Sequence, residues 1–357
     1  MLREQRGIWV LPAVPSRILR SCCMSDLYTF LMRPVFDPRP WGTQDLSPIY
    51  PSHKFEEKIG ESWLTGDQCR IANGPLSSQS LAQLSARYQR ELVGEAAPHA
   101  GRFPLLLKFL FPHEKLSVQV HPDDSAARAA GQPWGKTECW YVVHAKPGAQ
   151  IALGLKPGAT RAQLQQAILD QRAEEFLNWI NIFPGEMIYV AGGTVHTLGP
   201  GSILVETQQQ SDTTYRLYDY GRPRELHLKE GMAAVKEKVA SGKVIRPAPA
   251  LLDGSARSRR APLVAAPYFV VDMFELMDPH WFSTRDQSGK ASVQILVAVE
   301  GCGMVEAQGM QPVTLAKGDA VVVPACVQNF QVRPQWNVEF LKAYVPGAPL
   351  PEPATRI

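Results

Sequence analysis

One short pattern occurs twice in this chain, and it limits the available folds more than any other feature. Pro184-Gly185-Glu186-Met187-Ile188-Tyr189-Val190-Ala191 is echoed by Lys317-Gly318-Asp319-Ala320-Val321-Val322-Val323-Pro324. Each copy is a glycine turn, an acidic residue and an apolar run that favours a strand. A unit that recurs in this way points to two related structural blocks. Around both copies lie short apolar segments separated by Gly and Pro, a texture that suits a β-sandwich or jelly roll. With Gly185 laid on Gly318, His196 falls opposite Asn329. The second copy thus lacks the histidine, and no His-plus-Glu pattern precedes it. Two related β-barrels are expected, of which only the first binds a metal.

The rest of the chain fits a mainly β protein with a few short helices. Residues 1–26 read as a disordered leader: their apolar Ile8-Trp9-Val10-Leu11 is broken by Pro12 and Pro15, and no cleavage site stands out. Residues 27–240 form the expected metal-binding domain. Its start, 27–51, is rich in Pro and aromatics and reads as edge segments and turns. Strands are predicted over 58–64, 104–110, 139–143, 150–155, 186–190, 203–207 and 213–217. Ser80 should cap a helix reaching Leu92, a short Ala-rich helix is predicted over 123–131, and Thr160 should cap a longer one reaching Ile180. Residues 241–262 read as a solvated linker with a basic cluster (Arg257, Arg259, Arg260), and 263–347 as the second, metal-free domain.

Composition narrows the classes of function. At 357 residues, 45% hydrophobic and 20% charged, the chain is an ordinary globular protein. A net charge of +3 without any basic run gives no reason to expect nucleic acid as a partner. No apolar run approaches the roughly 20 residues of a membrane helix. The six cysteines form no CxxC pair and read as reduced thiols of a cytoplasmic protein.

Three segments carry candidate chemistry. In Ser117-Val118-Gln119-Val120-His121-Pro122, strand geometry puts Gln119 and His121 on one face and the two valines on the other. Gly135-Lys136-Thr137-Glu138 and Gly192-Gly193-Thr194-Val195-His196 are built to meet it. Together Gln119, His121, Glu138 and His196 make a plausible cage for a divalent ion, since imidazole and carboxylate suit Zn²⁺. Lys136 is placed to clamp a phosphate; a nucleotide-binding loop is rejected because the upstream glycine is missing. Arg216, inside an apparent strand, needs an anionic partner, either Asp212, Asp219 or another acidic side chain of the fold, or a substrate anion. His53, His99, His113, His144, His227 and His280 are expected to be satisfied core residues.

These motifs, in this order, with Ser211-Asp212-Thr213-Thr214-Tyr215-Arg216, Arg39-Pro40-Trp41-Gly42 and Gly60-Glu61-Ser62-Trp63, resemble type I mannose-6-phosphate isomerase (phosphomannose isomerase), in its shorter bacterial form. The likeness runs from about residue 27 to 345 and is strongest over 104–228. It implies a zinc-dependent cupin of two jelly rolls, with one Zn²⁺ per chain held by Gln119, His121, Glu138 and His196. It implies a sugar phosphate substrate, touched by Ser117, Lys136 and Arg216. Glu206 and Asp212 would join Arg216 and Lys136 in the catalytic pocket. The reaction would interconvert mannose 6-phosphate and fructose 6-phosphate through a cis-enediol, with the base open among Glu206, Lys136, Asp212, a histidine or a metal-held water. A monomer is the expected state. Ala191 departs from a proline common before the last histidine, and the helical insertion of the longer members is absent. A non-catalytic sugar-phosphate-binding cupin and an iron dioxygenase are the competing readings.

Overall fold

The computed structural model describes residues 26–357, so the expected leader, Asp26 apart, lies outside them. Three antiparallel sheets account for the architecture. An eight-stranded sheet runs Val35–Thr43, Ile59–Trp63, Leu105–Leu110, Ser202–Gln209, Glu138–Ala145, Met187–Val190, Gly242–Val244, Thr355–Arg356. A five-stranded sheet runs Tyr215–Tyr218, Val118–Val120, His196–Leu198, Gln150–Leu155, Leu177–Asn181. The second block, with Phe30–Arg33 and Arg70–Ile71 added, forms a ten-stranded sheet whose long strands Gln294–Glu306 and Asn329–Tyr344 each pair with several neighbours.

Strand alternation sorts side chains between two interiors. From the eight-stranded sheet, Leu105, Leu107, Phe109, Cys139, Tyr189 and Val205 join Leu263, Val271, Ile295 and Leu341 of the second block in one apolar core. The alternate residues Leu110, Trp140, Ile188, Val190 and Leu204 pack instead against Ile151, Leu153 and Leu198 of the five-stranded sheet. The middle sheet is therefore apolar on both faces, and its second face also carries the polar site. Cys139, next in chain to Glu138, points away from that site into the first core.

The repeat holds in three dimensions. Gly185 (φ +84°) and Gly318 (φ +90°) both turn through the left-handed region. Each is followed, two residues on, by a four-residue strand that is buried throughout.

Caps fall where the sequence puts them. Ser80 and Gln83 form a capping box on Leu81–Tyr88, Thr160 and Gln163 another on Arg161–Leu169, and Asp123 caps Asp124–Ala129. Three expectations are corrected. The helix begun at Thr160 stops at Leu169, since Gln171 takes φ +60°; a 3₁₀ turn, Ala173–Phe176, and the strand Leu177–Asn181 come next. The stretch 241–262 is not a free linker: Gly242–Val244 pairs with Met187–Val190, and Arg259–Ala265 is a strand. Its Arg257 and Arg260 are ion-paired to Asp278 and Asp272. Nor do residues 27–240 form a self-contained block, because Phe30–Arg33 pairs with Ala320–Val323 of the ten-stranded sheet. The prolines at 38 and 40 do lie on an edge strand, Val35–Thr43.

Among the described residues Cys69, Cys139 and Cys302 are free thiols. No helix among them is long and apolar enough to cross a membrane.

Candidate active site

Register places the key side chains. His196 and Arg216 both pair with Gln119, on either side of the strand Val118–Val120. In the middle sheet Glu206 sits between Lys108 and Trp140, and Gln208 opposite Glu138. His121, just past its strand, completes the set. The result is a cluster of His121, Glu138 and His196, all buried, whose nearest ligand atoms lie within 4.8 Å of one another.

The histidines are oriented as ligands need to be. His121 Nδ1 bonds the Thr213 carbonyl at 3.0 Å, and His196 Nδ1 the Thr194 carbonyl at 2.9 Å. A carbonyl only accepts, so both Nδ1 atoms carry the proton and both Nε2 lone pairs face the cluster. Burial holds both imidazoles neutral: His121 is pushed well below its usual range, with Lys136 adding to the effect, and His196 falls to about 4. The Glu138 carboxylate bridges them, 3.4 Å from His121 Nε2 and 3.5 Å from His196 Nε2. Burial, and then Glu206 beside it, raise the Glu138 carboxyl to about 7.

These residues fit a divalent cation. Glu138 Oε1 is buried with no hydrogen-bond partner. Gln119 stands over it with its amide 3.2 Å from His196 Nε2, so a flip of that amide would present an oxygen to the same point. Two neutral imidazoles, one carboxylate and one amide oxygen form a donor set suited to Zn²⁺.

Above the cluster opens a polar cavity of about 430 Å³. Ser117, Gln119, Lys136, Glu206, Asp212 and Arg216 all line it, so every residue singled out in the sequence meets at one place, with the His–Glu–His cluster beneath. Lys136 Nζ contacts Glu138, His121 Nε2 (2.9 Å) and Glu206 (3.5 Å). Glu206 also accepts from Trp140 Nε1 at 3.2 Å and pairs with Lys108 at 3.3 Å. Burial alone would raise Glu206, but Lys108 and Lys136 hold it below its ordinary range.

The Arg216 guanidinium donates from Nη1 to the Glu225 carbonyl at 2.8 Å, while its Nε is buried without a partner. No carboxylate among the described residues pairs with it. Asp219, one of the structural partners expected for it, is taken by Arg222 and Arg224. Burial and the nearby Arg224 lower the Arg216 pKa.

Sequence reasoning missed part of the wall. Arg39, Glu61, Lys108 and Arg224 also line the cavity. Glu61 bridges Arg39 (3.1 Å) and Lys108 (3.2 Å) and accepts from Trp63 Nε1. Against its burial, those two cations draw the Glu61 carboxyl down to about 2, and the buried carboxylates in turn hold Lys108 above its ordinary range despite desolvation. One signal was available: Lys108 is the only charge in Leu105-Leu106-Leu107-Lys108-Phe109-Leu110. The six remaining histidines, expected in the core, are all exposed or half-buried.

Fold and site together define a mainly β enzyme with a buried His–Glu–His centre under a charged pocket. Residues 39–153 match the family described as phosphomannose isomerase type I, catalytic domain. The mannose-6-phosphate isomerase of Streptococcus mutans is 32% identical over 302 residues, 82% of this chain and 90% of that protein. The crystal structure of the Bacillus subtilis mannose 6-phosphate isomerase overlays with a TM-score of 0.77 at 29% identity, covering 88% of this chain and 99% of that one. A zinc-bound mannose 6-phosphate isomerase shares the fold at a TM-score of 0.68 and 17% identity, over 89% and 99% of the two chains. This chain belongs to the type I mannose-6-phosphate isomerase family.

Proposed function

We propose that this chain interconverts mannose 6-phosphate and fructose 6-phosphate by shifting a proton between C1 and C2 through a cis-enediol, with Zn²⁺ held by His121, Glu138, His196 and Gln119. The observation that carries this reading is the unpartnered Glu138 Oε1 between two Nε2 lone pairs, at the floor of a pocket whose mouth holds an arginine without a carboxylate partner. The cation supplies positive charge beside the sugar oxygens.

The chain's own residues do the rest. Lys136, anchored between Glu138 and Glu206, adds a fixed positive charge at the reacting end. Arg216 offers an unfilled Nε–H to the anionic substrate, whose phosphate suits a guanidinium fork. Ser117 Oγ lies 3.4 Å from the Gln119 amide and, with that amide flipped, would accept from its NH₂. Among the candidates for the base, Glu206 is locked by two lysines and a tryptophan, and Lys136 by two carboxylates. Asp212 borders the cavity with a carboxylate that makes no hydrogen bond among the described residues. In this reading Asp212 carries the proton.

The test pairs metal analysis with a coupled assay on mannose 6-phosphate using the same sample. About one zinc per chain, with activity lost on chelation and restored by zinc, is expected. Full activity in metal-free protein would sink the metal role. Conversion that survives in Asp212→Asn would return the base to the other candidates.

A further inference from the structure

Behind the segment bearing Lys136 and Glu138 lies a second cavity, of about 560 Å³, between the two halves of the molecule. It shares no lining residue with the active-site pocket. Clefts of this size between packed units are common ligand sites. The first half contributes Phe103, Trp134 and Gln210 to its wall; the second contributes Tyr268, Lys290 and Pro346.

The charges of this cavity are one-sided. Arg102, Arg128 and Lys290 line it against a single acid, Asp124, to which Arg128 is paired at 4.0 Å. That acid is already engaged: its Oδ1 accepts from Gly135 N (2.8 Å) and Gln209 Nε2 (3.1 Å), and its Oδ2 from Tyr268 Oη (3.1 Å). The Lys290 ammonium has no ion pair among the described residues. Arg102 lies 4.5 Å from the Trp134 ring centroid and pairs outward with Asp67. Gln210 Oε1 is a buried acceptor with no donor. Cations at the rim, rings on the wall and an unfilled acceptor together describe the complement of a flat, anionic molecule that also carries a donor. A bare phosphate would leave the apolar wall unused, and a neutral ring the cations.

The wall is also tied to the catalytic segments. Tyr268 of the second half bonds Asp124, which holds Gly135; Gln209 joins Asp124 to the Thr137 amide through its own Oε1 at 2.8 Å. These bonds hold Gly135 and Thr137, on either side of Lys136 and just before Glu138. The Trp134 indole N–H bonds the carbonyl of Gln210, two residues before Asp212. An occupant that displaces Tyr268 or Trp134 therefore pulls on the backbone that presents the catalytic side chains.

We propose that this inter-half cavity binds a ring-bearing organic anion of the nucleoside phosphate class, and that its occupancy tunes the active site through Asp124 and Gln209. Calorimetric titration of the intact chain with ADP, adenosine and inorganic phosphate tests it. ADP should bind one site per chain with saturating mannose 6-phosphate present, and adenosine and phosphate at least about tenfold more weakly. The double variant R102A/K290A should lose at least about tenfold in ADP affinity. No binding at millimolar ADP, displacement by mannose 6-phosphate, or unchanged affinity in R102A/K290A would overturn the site. For the coupling, ADP should change the Michaelis constant or turnover at least about twofold in the native chain and not in R102A/K290A; binding with no kinetic effect overturns the coupling. The binding comparison needs no isomerase activity, so its failure is distinct from failure of the proposed function.

Discussion

Two strands set the halves of this molecule side by side: Met187–Val190 and Ala320–Val323. Both come after a left-handed glycine, both are fully buried, and both belong to the same repeated pattern. Past these strands the two halves diverge. After the first, the chain turns through Gly192 and Gly193 and brings His196 into the interior. After the second, a 3₁₀ turn, Ala325–Val327, leads to Asn329, which is exposed. The space itself is filled differently. The second half is packed with rings: Phe274 stacks on Phe340 at 5.5 Å, Phe282 on Phe330 at 5.3 Å, and Phe282 meets Phe274 edge-on at 4.9 Å. The first half buries Lys108 and Lys136 against Glu61, Glu138 and Glu206, two positive charges against three negative. Burial, and then Glu206 beside it, raise the Glu138 carboxyl to about 7, a cost that a bound cation would offset. One scaffold thus supports either a dry aromatic core or a charged chamber. The charged chamber is held by satisfied ion pairs, which give position rather than stability.

The largest effect expected from this contrast is on activity. His121→Ala should lose the metal and at least about 10³-fold in turnover, since the metal's charge is worth several kcal/mol; retained activity without metal would erase the distinction between the halves. Phe340→Ala should cost about 3–5 kcal/mol in denaturant unfolding while leaving the metal content of folded molecules unchanged. Arg216→Ala should lower turnover about 10²-fold at constant metal content; loss of metal there would make the arginine structural. A smaller effect concerns pH. Burial depresses Lys342, in the second half, from 10.5 to about 8. Between pH 8 and 10.5 the unfolded chain holds a proton that the folded one has released, so this group makes stability rise with pH, by at most about 3 kcal/mol. Thermal melts at pH 8 and 10 should show that rise in the native chain and less of it in Lys342→Met. Asn329→Ala should do least, within about 0.5 kcal/mol and with no effect on metal.

Much of the active site was legible because its residues sit in short local motifs. Gln119 and His121 share a strand face, Lys136 and Glu138 share the next segment, and His196 closes a glycine turn. Helix starts at Ser80, Asp123 and Thr160 were equally plain, since capping is a three-residue affair. Arg39, Glu61 and Lys108 were harder, because each becomes a site residue only through sheet register. Glu61 pairs with Leu110 and Lys108 with Glu206, contacts between segments far apart in the chain. The end of the helix at Leu169 was hidden by apolar spacing that continues into the strand Leu177–Asn181. The strand inside the expected linker was hidden because its partners are remote.

Those remote partners bear on how the protein is made. Phe30–Arg33 can complete its pairing only with Ala320–Val323, and Gly242–Val244 only when Thr355–Arg356 is available. A growing chain on the ribosome therefore carries its early strand paired on one side only, with Arg70–Ile71, until the second block has emerged. A prematurely released chain would show an open sheet edge at Gly242–Val244, the kind of surface that invites aggregation. The half that would perform the chemistry comes first in sequence, yet its largest sheet gains its last strand only once residues 355–356 have been synthesised.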